Sequence, residues 1–316
     1  MAENKIMPPV TLGFIGLGKM GLPMAVRLIG AGYTVRGYDP AQQALNNLAG
    51  AGGTACTSAA ATAVGAAAVI TMLPDGDTVR RVVLDDADPV GTAMARDTVL
   101  IEMSSSAPLS TRALGERLAG AGIDVVDAPV SGGVKKAVAG TLSIMAGGEP
   151  AAIERITGVL DAMGCSIFRT GALGSAHAMK ALNNYVSAAG LIAACEAVQI
   201  GAAFGLDPEL MTDIFNVSTG CNNSTENKLK PFIITEAYNS GFGLALMTKD
   251  IGIAVDLAKD LERPAPFSQD VVAFARRALE QLGPAADHTE VDRYLKILAA
   301  ESVSERDLST RALKSE

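Results

Sequence analysis

One lysine, Lys180, lies in the stretch "GALGSAHAMKALNNYVSAAGLIAACEA" (residues 171–197), whose second half reads as an apolar, alanine-rich helix without a proline. A lone ammonium on such a helix either snorkels to water or is held inside for a purpose. Partial desolvation favours the neutral amine, which can exchange a proton near neutral pH. Asn184 follows at i+4 and shares the lysine's helix face, where its amide could fix a substrate oxygen. Asn183 points about 100° away from Asn184. Spacing alone leaves both readings of Lys180 open.

A second constellation is "GFIGLGKMG", in which Gly16, Gly18 and Gly21 form G-x-G-x-x-G between a β-rich run and a segment of helical periodicity. The backbone through Leu17, Lys19 and Met20 can then pass close to a pyrophosphate on the positive end of the helix. The next β-rich run ends in Asp39, where a carboxylate accepts hydrogen bonds from ribose hydroxyls and repels a 2′-phosphate. The pattern therefore points to NAD, with NADP possible. The alternative is an ordinary glycine-rich turn with Asp39 capping a helix.

Three more loops follow apolar runs. "TMLPDG" (residues 71–76) contributes Met72, Leu73 and Pro74, and "EMSSS" (residues 102–106) follows another run. Ligands of open α/β sheets bind beyond the carboxyl ends of strands, so both loops are expected to border a cofactor. The alternative is plain turn and capping chemistry. In "DAPVSGG" (residues 127–133), Ser131, Gly132 and Gly133 offer a hydroxyl and unshielded N–H groups, either a carboxylate cradle or simply a glycine-rich loop.

Composition narrows the field. The 316 residues are 49% hydrophobic and 19% charged, with a net charge of −8 and no basic, aromatic-interleaved patch, which argues against nucleic acid. With only His177 and His288, a histidine metal site or a Ser-His-Asp triad is not expected, and no metal is assigned. Cys56, Cys165, Cys195 and Cys221 are far apart and read as reduced, mostly buried thiols. No secretory leader is evident, and the run "AAATAVGAAAVITML" is short for a membrane span, so a cytoplasmic protein is expected.

The elements that must position these residues fall into two groups. The runs "VTLGFIG", "YTVRGYD", "AAVITML", "TVLIEM", "IDVVDAP" and "TLSIMAGG" alternate with helical spacings such as "KMGLPMAVRLIGAG". This alternation predicts an α/β fold with a Rossmann-type doubly wound parallel sheet over residues 1–172. Beyond it strand signals vanish. The segments "DPELMTDIFNVS", "ALMTKDIGIAVDLAKD", "FSQDVVAFARRALEQLG" and "TEVDRYLKILAAE" carry apolar residues at i, i+3, i+4 and i+7. Residues 173–316 are therefore expected to be an all-α substrate and oligomerisation domain, opened by a long bridging helix.

Together "GFIGLGKMGLPMA", "TMLPDG", "DAPVSGGVKKAVAGTL", "GALGSAHAMKALNN" and "MTKDIGIA" stand in one order along nearly the whole chain. In this the sequence resembles the β-hydroxyacid dehydrogenase family, the group of 3-hydroxyisobutyrate dehydrogenase and tartronate semialdehyde reductase. The resemblance implies hydride transfer between a nicotinamide cofactor and a small 3-hydroxy acid, or the matching semialdehyde or keto acid. It implies Lys180 as general acid/base beside Asn184, and Ser131, Gly132 and Gly133 as the holders of a substrate carboxylate. It also places Ser105 near the nicotinamide and brings Lys249, of "TKD", to the cofactor. A homodimer or homotetramer built by the helical domain is implied as well. Two departures stand out: Arg27 where the family usually has Asn, and the basic pair Lys135 and Lys136 after the glycine loop. Neighbouring readings are oxidative decarboxylation, imine reduction and a non-catalytic dinucleotide sensor. The presence of Lys180 argues against the last two.

Overall fold

The computed structural model describes residues 5–301. The chain divides into two compact units, Met1–Lys180 and Ala181–Glu316, and passes between them within the helix Ser175–Phe204.

In the first unit the strands are β1 (Thr11–Ile15), β2 (Thr34–Tyr38), β3 (Thr54–Ala55), β4 (Ala68–Thr71), β5 (Val99–Glu102), β6 (Asp124–Asp127), β7 (Val130–Ser131), β8 (Leu142–Gly147) and β9 (Gly164–Gly171). They form one sheet in the order β3-β2-β1-β4-β5-β6-β8-β7, with β9 on β8. The first six pair in parallel, as the alternation of strand and helix requires. The far edge differs from an all-parallel sheet: β8 runs antiparallel to β6 and β7, and β9 runs parallel to β8. The turn after Ser131 and the short helix Gly133–Ala139 bring the chain straight back beside β6, leaving no room for a crossover.

Residues of β4 and β5 are buried throughout, which is why these strands read as unbroken apolar runs. Alternation then sorts side chains between two cores. Leu12, Phe14, Ile70 and Ile101 pack with Met24, Leu28 and Ile156 on one face. Ile15, Val69 and Leu100 pack with Val79, Val83, Leu114 and Leu118 on the other. The order reverses between β1 and β4, so the carboxyl ends of these strands flank the crevice where such sheets take ligands.

The helical unit is built from the rest of Ser175–Phe204, then Pro208–Val217, Leu244–Asp260, Pro266–Leu282 and a helical stretch at 291–301. Ala188, Leu191, Cys195 and Val198 form a helical stripe that packs with Leu229, Met247, Ile251, Val272 and Ala275. Ser175–Phe204 is the one described helix long and apolar enough to cross a membrane by length and composition. The cysteines divide evenly rather than being mostly buried: Cys56 and Cys195 are buried, whereas Cys165 and Cys221 are exposed. Cys165 lies in β9, an outer strand with a partly exposed face. The polar segment at 218–228 spends much of its hydrogen bonding on itself. Asn222 and Thr225 cap the helix Asn223–Asn227 reciprocally, and Asn216 donates to the Thr225 carbonyl.

Candidate active site

The glycine turn shows what each glycine is for. A Cβ on Gly16, whose φ is +95°, would lie 2.2 Å from the Met72 carbonyl oxygen, and one on Gly21 would lie 1.9 Å from the Gly16 carbonyl oxygen. Both glycines are demanded by the protein's own backbone. A Cβ on Gly18 would meet nothing within 4 Å. Packing does not ask for that glycine, so the open space above it suits a ligand's close approach. The helix Gly21–Gly30 begins without a side-chain cap; its Leu22 N–H is bonded to the Gly18 carbonyl and Pro23 carries none, so it is the positive end of the helix together with the turn before it that suits an anion. Asp39 accepts from the Leu17 N–H at 2.8 Å and from the Ala41 N–H at 2.8 Å. Its carboxylate thus braces the glycine turn and closes the bend at Ala41, but it does not cap the next helix, Gln42–Gly50, which begins without a side-chain cap. Turn, uncapped helix and acidic strand end together fit a dinucleotide.

Ser104 ties the next two loops together. Its hydroxyl accepts from the Leu73 N–H at 2.9 Å, and its own N–H donates to Glu102 Oε1 at 2.9 Å. The loop of Met72, Leu73 and Pro74 is thereby fixed to the loop that carries Ser105. Beyond β6, Gly132 and Gly133 adopt φ of +129° and +67° and are exposed, with Ser131 half-buried beside them. The stem of Lys136 covers the α-carbon of Gly132, where a Cβ would sit 2.4 Å from its Cδ.

The bridging helix is tethered where it begins. Asp127, at the end of β6, accepts from the Gly174 N–H on Oδ1 and from the His177 N–H on Oδ2, both at 2.8 Å. Gly147, paired with Asp127 across the sheet, makes room, since a Cβ there would lie 2.6 Å from Oδ1. The His177 ring reaches Glu102 at the end of β5, with Nε2 2.7 Å from Oε2 and 3.0 Å from the Ser104 carbonyl. That contact with Oε2 is charge attraction more than a straight hydrogen bond, because the oxygen receives no well-angled donor. Burial pushes Glu102 upward, but the charge and close contact of the His177 ring, with the bond from Ser104, prevail and hold its carboxyl below the usual range. Burial likewise pulls His177 down, and Glu102, with help from Asp127, raises it above the ordinary value. Asp127 is raised by burial against the opposing pull of His177 and its N–H donors.

Lys180 stands one helical turn beyond His177 and is half-buried. In the helical unit, Asn184 donates to Asp250 Oδ2 at 2.6 Å, and the Lys249 ammonium lies 3.5 Å from Asp250 Oδ1. Asp250, only 4% exposed, joins two residues that sequence reading singled out separately. Sequence reading missed Asp250, His177 and Glu102 as parts of the site. Asp250 was legible only as the acid following Lys249, and His177 only as a histidine one turn before Lys180. Among the described residues, no three His, Cys, Asp or Glu side chains are grouped to hold a metal ion.

Residues 11–171 match the family model described as the NAD binding domain of 6-phosphogluconate dehydrogenase. Residues 174–295 match that described as the NAD-binding of NADP-dependent 3-hydroxyisobutyrate dehydrogenase. A 2-(hydroxymethyl)glutarate dehydrogenase of Eubacterium barkeri is 36% identical over 82% of this chain and 86% of its own length. An NAD-dependent L-serine dehydrogenase of Pseudomonas aeruginosa is 36% identical over 85% of this chain and 92% of its own. Among solved structures, the 3-hydroxyisobutyrate dehydrogenase of Mycobacterium tuberculosis with L-serine superposes with a TM-score of 0.84. It is 33% identical, covering 91% of this chain and 99% of that one.

Proposed function

Because this chain belongs to the β-hydroxyacid dehydrogenase family and is an NAD(P)-dependent hydroxyacid dehydrogenase, we propose that it oxidises a small 3-hydroxy acid, or reduces the matching semialdehyde, with Lys180 as general acid/base. The observation that carries this reading is the tether of the bridging helix. Asp127 and Glu102 tie its first turn to the carboxyl ends of β5 and β6, and Lys180 follows one turn later. Residues 1–172 would bind the dinucleotide through Gly16, Leu17, Gly18, Lys19, Met20, Gly21 and Asp39, with Met72, Leu73, Pro74 and Ser105 around it. Once bound, the nicotinamide supplies a hydride acceptor or donor. Ser131, Gly132 and Gly133 hold the substrate carboxylate, Asn184 hydrogen-bonds the substrate, and Lys249 serves the cofactor from residues 173–316. In oxidation a neutral Lys180 takes the hydroxyl proton; in reduction a protonated Lys180 returns it to the forming alkoxide.

The relatives suggest the substrate class. Serine, 3-hydroxyisobutyrate and 2-(hydroxymethyl)glutarate, which their names carry, are all carboxylic acids with a hydroxymethyl group on the α-carbon. A panel of 3-hydroxypropanoates differing in the α-substituent, assayed with NAD and NADP in parallel, tests the proposal. Turnover of at least one member with preference for NAD is expected, since the Asp39 carboxylate repels a 2′-phosphate. A flat trace across the panel despite NADH binding would overturn it in favour of a sensor.

The protein is further proposed to act in the cytoplasm as a homodimer or homotetramer. Ile200 and Phe204 are exposed near the end of the bridging helix, with Phe204 at 84%, and Leu210, Ile214 and Val217, at helical spacing, are exposed along Pro208–Val217. An apolar stripe of this kind on a monomer is unusual and suits a second copy of the same chain. Light scattering after gel filtration is expected to give a dimer or larger, and the double variant Phe204→Glu, Ile214→Glu a smaller species. A monomeric wild type would refute this part.

A further inference from the structure

Buried inside the first unit is an ionisable cluster that hydride transfer does not itself require. Glu102 and Asp127 end adjacent strands with 1% and 0% exposure, and His177 stands between them at 1%. Its Nε2 faces only acceptors, the Ser104 carbonyl and the Glu102 carboxylate, and therefore carries a hydrogen. Its Nδ1 lies 2.8 Å from Thr111 Oγ1, and that hydroxyl lies 3.2 Å from the Ala107 carbonyl as its own acceptor. If the hydroxyl proton goes to Ala107, the oxygen is left to accept from Nδ1. Both ring nitrogens then donate. Asp127 Oδ2 lies 3.8 Å from Nδ1 and supplies a second negative neighbour.

We propose that His177 is a positioning residue: a buried imidazolium that latches the first turn of the bridging helix to the loop after β5. One ring thus holds the Ser104 carbonyl, next to Ser105, and its own backbone N–H holds Asp127, so the loop and Lys180 keep a fixed relation. The proposal rests on the reading of Lys180 as acid/base and of Ser105 as a cofactor neighbour. Charge makes the latch stiff. Two carboxylates buried without a cation would be costly, and the ring between them offsets that cost only while protonated. Glu102 and Asp127 are the charged groups that face the ring, from β5 and β6; from the helix Pro108–Ala119 it meets the neutral Thr111.

Only two histidines are present, so ring ¹⁵N spectra of histidine-labelled protein can be assigned by the loss of one signal set in His177→Gln. The expected wild-type result is a doubly protonated His177 ring at about pH 7 and for some distance above it. In Glu102→Gln, which keeps the shape and an acceptor for the Ser104 N–H, the ring is expected to lose its proton at lower pH than in wild type. Its kcat is expected to fall about tenfold to a hundredfold while NADH binding holds, and the kcat–pH profile to gain an ionisation that tracks the ring. A singly protonated wild-type ring at about pH 7, or a folded Glu102→Gln with unchanged kcat and pH profile, overturns the proposal. Failure of the underlying reading shows elsewhere, as undiminished turnover in Lys180→Ala, whereas the ring spectrum is recorded without turnover.

Discussion

Lys180→Ala is expected to lower turnover by about 10²–10⁴-fold, the usual contribution of a positioned proton donor or acceptor, or roughly 3–5.5 kcal/mol of barrier. NADH binding should change little, because the glycine turn and Asp39 lie on other elements. The split follows from what the lysine does: its proton moves only when the substrate oxygen changes charge, so the loss appears in kcat. Lys180→Arg is expected to be nearly as slow, since a guanidinium keeps charge and reach but does not release its proton. Direction supplies a further check. Oxidation consumes the neutral amine and should speed up as pH rises through the lysine's ionisation, while reduction consumes the ammonium and should slow over the same interval. Stopped-flow measurement of hydride transfer in both directions reads all three. Near-wild-type kcat in Lys180→Ala would remove the lysine from the chemistry and leave it a solvated side chain on an apolar helix.

How far the chain could be read in advance depended on whether the cause of each feature is local. β4 and β5 were legible because strands covered on both faces leave an unbroken apolar run. β9, "GCSIFRTG", was not: it pairs only with β8, one face is partly open, and its mixed residues carry no such run. β3 and β7 are two residues each, too short for any periodicity. The glycine turn between β1 and its helix was legible because its glycines stand at fixed local spacing, and the strand end at Asp39, which bonds the turn, because β2 follows at a set distance along the chain. The Glu102–His177 contact spans 75 positions in sequence, and nothing near either residue announces the other. Its only local sign is an acid closing an otherwise apolar strand, a residue type that is rarely buried without a partner. Asn184, Lys249 and Asp250 illustrate the same limit, since the acid that joins the other two is reached only when two helices pack.

The glycine turn offers a sharper separation of fold from function than any charged residue here. Gly21→Ala would place a methyl 1.9 Å from the Gly16 carbonyl oxygen, and that atom belongs to the backbone of the turn, so helix and strand must move apart. Overpacking of this kind costs about 1–3 kcal/mol. In a unit of this size that is a drop of roughly 2–4 °C in melting temperature for each kcal/mol. NADH binding should be lost with it, because the displaced helix start no longer holds the glycine turn in the shape that meets a pyrophosphate. Gly18→Ala makes the opposite case. Nothing in the protein lies within 4 Å of the new methyl, so the melting temperature should stay close to wild type. The methyl instead occupies the space where a pyrophosphate must approach the backbone, and NADH affinity should fall by about tenfold or more, at least 1.4 kcal/mol. Melting curves and NADH fluorescence titrations on the two variants, side by side, measure both effects. An unstable Gly18→Ala, or one that binds NADH as wild type does, would mean that the open space above residue 18 is not where the dinucleotide lies.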